Sequence, residues 1–368
     1  MSRTVADDFK YHIDHHAGLT PPAALLDARA ANLRGELDDA GLDAAEDAAV
    51  AEAVSTQRRL GLAAVSDGWF RRSDPLRVIH DGVAGFGQEL LGGAVAELLG
   101  GSVPVRRRAV GPLEAAGRLA EHESGSLRQV TEFPLLVSLP SPGYVAELSA
   151  VEGEQPKAVE EAGAALAAIV GAEVAALAAE GVAYVLLHNP LYGFLLRARG
   201  AERAAELGLA PGELVDRMLA ADAAVLDGLV TPEIPDNFHL GLDLTTGGAA
   251  DLTAGYAAGP LAAFQERQPF DRICVEYPAL EQARFPLSGV RPGVVVSLGL
   301  VDVRTPELES VDEIVSRVDT AAEQLDIDDI ALSTNGAFTV ENGLTSNQER
   351  LKLQLVEMAA RYFWGNEL

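Results

Sequence analysis

Short apolar runs recur along the chain, each followed by a longer stretch whose apolar positions repeat at helical spacing. Residues 134–140 (PLLVSLP) are one such run, bounded by prolines, and the alanine- and glutamate-rich stretch 156–180 that follows has the length and period of a helix. Further strands are predicted at 182–188 (VAYVLLH), 234–240, 272–277, 293–301 and 327–333, with helices at 211–228 and 310–325 and another ahead of residue 272. This alternation predicts βα units around a parallel sheet. Residues 13–18 and 62–68 bring the strands to eight, and eight in a chain of 368 residues points to a closed (β/α)8 TIM barrel rather than an open sheet. Residues 80–131 break the rhythm; they are predicted to form an inserted hairpin or lid after the second strand, within a single domain spanning 1–368.

Composition narrows the partners. A formal charge of −27 repels phosphates, and the one basic cluster, Arg106–Arg107–Arg108, is short, so nucleic acid is not expected. No membrane partner is expected either: apolar runs fall short of the roughly 20 residues a bilayer span needs, and the richest, 162–179, is interrupted by Glu173. Asp7 and Asp8 stand near the start with no apolar run behind them, and the single cysteine, Cys274, allows no internal disulfide. The expectation is a cytoplasmic enzyme with a small-molecule substrate, with a homodimer compatible.

In a barrel of this kind the chemistry sits at the C-terminal strand ends, and polar residues gather there. His12, His15 and His16 lie in or beside the first strand; His188 and His239 end later ones. Alternation of faces lets only one of His15 and His16 enter the mouth. Asp67 and Gly68 suit a turn after the second strand, Arg71 and Arg72 suit an anion or a surface salt bridge, and Asn189, Asn237 and Asn335 offer uncharged hydrogen-bonding groups. Cys274, two residues before Glu276, faces the same way one layer deeper and reads as core.

These strand ends resemble, in order, the motifs of the cobalamin-independent methionine synthase family in its short single-barrel form. Asp14-His-His-Ala-Gly-Leu-Thr-Pro-Pro22 is similar to the family's D-H-V-G-S-L-L-R-P, Val65-Ser-Asp-Gly-Trp-Phe-Arg71 to its D-G-E element, and Leu139-Pro-Ser-Pro142 to its P-S-P element. Tyr184-Val-Leu-Leu-His-Asn-Pro190 stands at the place of D-E-P, Phe238-His-Leu-Gly241 at that of H-x-C, Ile273-Cys-Val-Glu276 at that of the zinc-binding glutamate, and Ser333-Thr-Asn-Gly336 at that of C-G. Residues 298–309 (LGLVDVRTPELE) are close to the family's G-l-v-D-x-K segment.

The resemblance implies a barrel and a zinc site of two cysteines, one histidine and one glutamate that activates the homocysteine thiol. On this alignment His239 and Glu276 remain while the cysteines have become Gly241 and Asn335, so zinc of the family's kind is expected to be lost. The family's serine aligns with Gly18, and the two carboxylates that hold the homocysteine ammonium align with Trp69 and His188, so homocysteine is expected to bind badly.

The residues themselves support two readings of the mouth. His188, His239 and Glu276, ending successive strands, are expected to converge as acid–base groups or as a two-histidine, one-carboxylate site for a divalent metal other than family-type zinc; alternatively they hydrogen-bond one another and a substrate with no metal. His15, His16, Trp69, Asn189, Asn237 and Asn335 are the candidate substrate contacts. Function is therefore expected to be that of a repurposed small-molecule enzyme, against a methyl or alkyl transferase with another acceptor, or a non-catalytic ligand-binding barrel.

Overall fold

Valine- and leucine-rich runs become strands here because branched side chains suit a pleated surface buried on both faces. The computed structural model describes residues 11–100, 104–151, 153–229 and 234–365. Its strands are β1 (Val83–Glu89), β2 (Arg107–Ala115), β3 (Leu136–Pro140), β4 (Tyr184–His188), β5 (His239–Asp243), β6 (Arg272–Glu276), β7 (Val295–Val301) and β8 (Ile330–Thr334). Strands β3 to β8 pair in sequence order as one six-stranded parallel sheet, and β1 and β2 form a separate antiparallel hairpin.

The mixed α/β architecture and the parallel sheet agree with the sequence reading, but the first two expected strands take a reduced form. Residues 13–18 and 62–68 contribute isolated parallel bridges instead of ladders: Ile13 pairs with Leu332 on β8, Val65 with Leu135 beside β3, and Gly18 with Gly68. The backbone bonds are well made, with Asp14 N–H donating to Leu332 O at 2.8 Å and Leu136 N–H to Val65 O at 2.9 Å.

A second difference decides the site. The strand expected at 234–240 starts only at His239 and ends at Asp243. Pro235, Asp236 and Asn237 are turn formers, and Phe238 N–H closes a turn onto Pro235 O at 3.0 Å, so the apolar residues ahead of His239 never enter the sheet. His239 therefore pairs with Tyr184, the first residue of β4, and Asp243 with His188, the last.

Alternation splits the strands into two faces. Val185, Leu187, Leu242, Val275 and Leu298 join the large core under the helices, whereas Tyr11, Ala64, Leu136, Tyr184, Leu186 and Cys274 form a smaller cluster on the other face. The helix Pro156–Ala179 begins with proline, whose missing N–H costs nothing in a first turn. It is long and apolar enough to cross a membrane, yet Val159, Leu166, Val170, Val174 and Leu177 are buried against the rest of the protein.

The inserted segment runs along this helix. Arg118, just after β2, pairs with Glu173 and Glu180 at 2.6 Å each, and Arg106 donates to Leu148 O at 2.9 Å. Its helix Ala94–Leu99 lies between the two strands of the hairpin in the chain, and its helix Glu121–Val130 follows β2.

The inner face carries charge deep in the fold. Arg272 Nε donates to Asp14 Oδ2 at 3.0 Å, both side chains at most 4% exposed, while the guanidinium also reaches Tyr11 O and lies 5.3 Å from the Tyr184 ring centroid. Removing one partner of a buried pair strands the other charge, a loss of about 3–5 kcal/mol. Arg272→Met is therefore expected to lower the thermal unfolding midpoint strongly, and adding Asp14→Asn to recover part of the loss. A single variant as stable as the wild type would remove the pair from the determinants of the fold.

Candidate active site

The C-terminal ends of the parallel strands bring together His16, His188, Asp243 and Thr245. Residue 16 follows the bridge at Ile13, His188 closes β4, and Asp243 closes β5 directly opposite it in register. His16 Nδ1 donates to Asp243 Oδ2 at 2.7 Å and His16 Nε2 to Thr334 O at 2.8 Å, with both side chains at most 2% exposed. Asp243 Oδ1 accepts from the Thr245 N–H at 2.9 Å and from its hydroxyl at 2.7 Å.

Burial by itself lowers the His16 pKa, but the charge and hydrogen bond of Asp243, with the Thr334 carbonyl bond, outweigh it and raise it to about 9. Asp243 is held below the usual carboxylate range: burial opposes this, and the charge and hydrogen bond of His16 prevail. His16 is thus an imidazolium with both N–H groups committed.

His188 is the accessible histidine of the group, with its side chain 25% exposed. Its Nε2 lies 3.2 Å from Thr245 O and 4.0 Å from Asp243 Oδ2. A carbonyl only accepts, so Nε2 carries the proton and Nδ1 keeps its lone pair. Burial lowers the His188 pKa against the pull of Asp243, leaving a neutral imidazole near pH 7.

The expected convergence of His188, His239 and Glu276 does not occur. His239 begins β5, four residues or about 13 Å of strand from the end that carries Asp243, and its ring meets Tyr11 edge-on at 5.1 Å. Glu276 does end β6, but its oxygens are spent: Oε1 accepts from Thr246 Oγ1 at 2.7 Å and Gly248 N–H at 3.0 Å, and Oε2 from Arg197 Nη2 at 3.1 Å. It fastens the loop after β5 to a buried arginine.

The other sequence candidates divide in the same way. His15 is buried, bonds Ala64 O through Nε2 at 3.1 Å, and is lowered to about 4 by burial. Asn189 donates to Asp222 Oδ2 at 3.2 Å in a buried network with Tyr192, tying the end of β4 to the helix Pro211–Ala223. Asn335 is engaged with Val303 N–H at 3.0 Å and Asp302 at 3.2 Å, and Asn237 is exposed in the turn ahead of β5. Trp69 follows the Gly18–Gly68 bridge with φ 60°, a strained value for a bulky residue, and a Cβ on Gly18 would stand 2.7 Å from the indole. Glycine at 18 and tryptophan at 69 thus form one steric unit.

Asp243 and Thr245 were missed because β5 was placed too early. The signal lay in the alternation of His239, Gly241, Asp243 and Thr245 with Leu240, Leu242 and Leu244, the period of a strand ending at the Gly247–Gly248 turn.

Ligand atoms of His16, Asp243 and Cys274 lie within 4.8 Å of one another. The donors do not fit a cation. Both His16 nitrogens donate, burial and the Asp14 carboxylate push the Cys274 thiol well above its ordinary pKa, and the two carboxylates of this region, Asp14 and Asp243, are already neutralised by Arg272 and His16.

No protein-family model matches this sequence, and no curated protein sequence does. Solved structures do. A protein assigned as a vitamin-B12-independent methionine synthase from Listeria monocytogenes superposes with a TM-score of 0.75 at 19% identity, covering 97% of this chain and 98% of its own. A B12-independent methionine synthase from Shewanella sp. W3-18-1, solved with selenomethionine, gives 0.73 at 18% identity over 96% and 97%. A methyltransferase from Methanosarcina mazei gives 0.51 at 12% identity over 98% and 97%. At these identities the likeness is one of fold, and over nearly its whole length this chain has the fold of the B12-independent methionine synthases.

Proposed function

We propose that this chain is an enzyme of methyl-transfer ancestry that acts on a small molecule other than homocysteine and uses an imidazole base where its structural neighbours' family uses zinc. One observation carries the reading: the buried His16–Asp243 ion pair fills the strand ends with the protein's own cation and anion, next to a neutral, accessible His188. The three bridges of residues 13–18 and 62–68 are read as closing the six-stranded sheet into a barrel whose mouth holds this group, with the inserted segment bordering it.

The chemistry follows from the protonation states. Thr245 O fixes the His188 ring through Nε2–H, leaving Nδ1 to accept a proton from a substrate hydroxyl, amine or thiol. Asp243, anchored by His16 and Thr245, places a negative charge 4.0 Å from His188 Nε2 and stabilises the imidazolium formed when the proton arrives. This would activate an acceptor for alkylation without a metal-bound thiolate. Trp69 and His188, where the family's ammonium-binding carboxylates are expected, argue against an amino-acid substrate.

Three outcomes test this. The full chain, incubated with zinc and dialysed, is expected to retain a substoichiometric amount, and calorimetry with selenomethionine, the ligand of the Shewanella neighbour, is expected to show no binding; stoichiometric zinc or sub-millimolar selenomethionine binding would overturn the reading.

In long-range proton–nitrogen spectra of histidine-labelled protein at pH 7.5, His16 is expected to be doubly protonated and His188 to carry its proton on Nε2. A neutral His16 would refute the ion pair.

Stability should follow the same linkage. His16, raised from 6.5 in the unfolded chain to about 9, contributes stability fully present below about pH 6.5 and lost as pH climbs through 9. Thermal midpoints of the wild type are expected to fall across that window, and those of a His16→Asn, Asp243→Asn double variant to lose this component; identical slopes would exclude it.

A further inference from the structure

The turn 67–72, between the second bridge segment and the inserted region, holds a buried carboxyl that the site above does not use. Asp67 is 4% exposed. Its Oδ1 accepts the Trp69 N–H at 3.1 Å, while Oδ2 is buried with no hydrogen-bond partner. The cation that acts on it most strongly is already taken: Arg72 donates through Nε and Nη2 to the two oxygens of Glu123, at 2.6 Å each, and through Nη2 to Ser138 O at 2.7 Å. Glu123 belongs to the helix Glu121–Val130 of the inserted segment, so one buried guanidinium joins that segment to β3 and to the turn.

The same turn sets Trp69. Its strained backbone is held by the Asp67 carboxyl at its N–H and by the Arg72 N–H at its carbonyl, 3.0 Å away, while the Arg72 guanidinium lies 5.5 Å from the indole centroid and Gly18 leaves room for the ring. The indole Nε1 is likewise buried without a partner. A neutral carboxyl costs less in this position than an ionised one. An ionised one would sit with a single hydrogen bond beside the Glu123 carboxylate, a costly arrangement unless the turn moves to expose it.

We propose that Asp67 is a proton-operated latch between the inserted segment and the mouth: neutral, it keeps the turn docked with the Trp69 indole over Gly18, and ionised, it releases that indole from the wall of the site. The consequence for substrate access rests on the mouth assigned above; the latch itself is a property of the turn.

The charged groups acting on Asp67 are Glu123 from the inserted helix and Arg72 and Arg71 from its own turn. Burial is the largest influence and, reinforced by Glu123 against Arg72, raises the carboxyl from 3.8 to about 7. The sign follows: the folded state holds this proton between about pH 4 and 7 while the unfolded chain has released it, so the latch contributes stability at low pH that is lost as pH rises through 7.

Trp69 and Trp364 are the only tryptophans, which makes the latch directly observable. In protein labelled with 5-fluorotryptophan, with the resonances assigned by Trp69→Phe, the Trp69 signal is expected to titrate with a midpoint of about 7. The titration should vanish in Asp67→Asn and move to lower pH in Glu123→Gln, where a like charge is removed and Arg72 is freed. If Asp67→Asn fails to fold, acrylamide quenching of a Trp364→Phe protein gives a second readout, expected to rise with pH through the same midpoint. A Trp69 signal unaffected by pH, or a titration that persists unchanged in Asp67→Asn or Glu123→Gln, would overturn the latch. Retained zinc or selenomethionine binding would refute the proposed function while leaving this titration in place, so the two can fail separately.

Discussion

Two buried ion pairs on the inner face of the parallel sheet, Arg272–Asp14 and His16–Asp243, are the constraint around which this fold is organised. Each joins the extended segment at residues 11–18 to the far side of the sheet, Asp14 to β6 and His16 to β5. That segment makes only isolated bridges, so the side-chain pairs help to hold it where ladder bonds do not. Charges this deep are tolerated only when each finds its opposite and its remaining hydrogen bonds, and here they do: Tyr184 and Tyr11 O serve the first pair, Thr245 and Thr334 O the second.

The second pair places a cation and an anion of the chain's own at the ends of the parallel strands. A cation is needed where carboxylates gather; an imidazolium supplies it from the chain itself. His16 is committed at both nitrogens, whereas His188 combines a ring fixed through Nε2 with partial exposure. The arrangement sets a fully engaged histidine and a partly exposed one against a shared aspartate.

Around this centre, residues that read as binding groups serve as fasteners. Glu276 secures the Thr246–Gly248 loop and Arg197; Asn189 and Asp222 tie β4 to a helix; Arg72 and Glu123 attach the inserted segment. Polar side chains at strand ends have many unpaired backbone and side-chain groups within reach, and satisfying those groups is a frequent use of them.

The parallel α/β architecture and the strand–helix order were legible in the chain, because apolar period and turn residues act locally and survive without knowledge of neighbours. The resemblance of successive strand ends to one family agreed with the fold of the solved neighbours. What the chain alone did not disclose was register. An error of a few residues at Pro235–Asn237 placed His239 at the wrong end of β5 and hid Asp243, since facing residues are set by which strand end meets which. Tertiary structure likewise decided the charge states: His16, His188 and Asp67 are ordinary side chains in sequence, and only their burial and their partners Asp243, Thr245 and Glu123 make one a cation, one a neutral imidazole and one a carboxyl poised near neutrality.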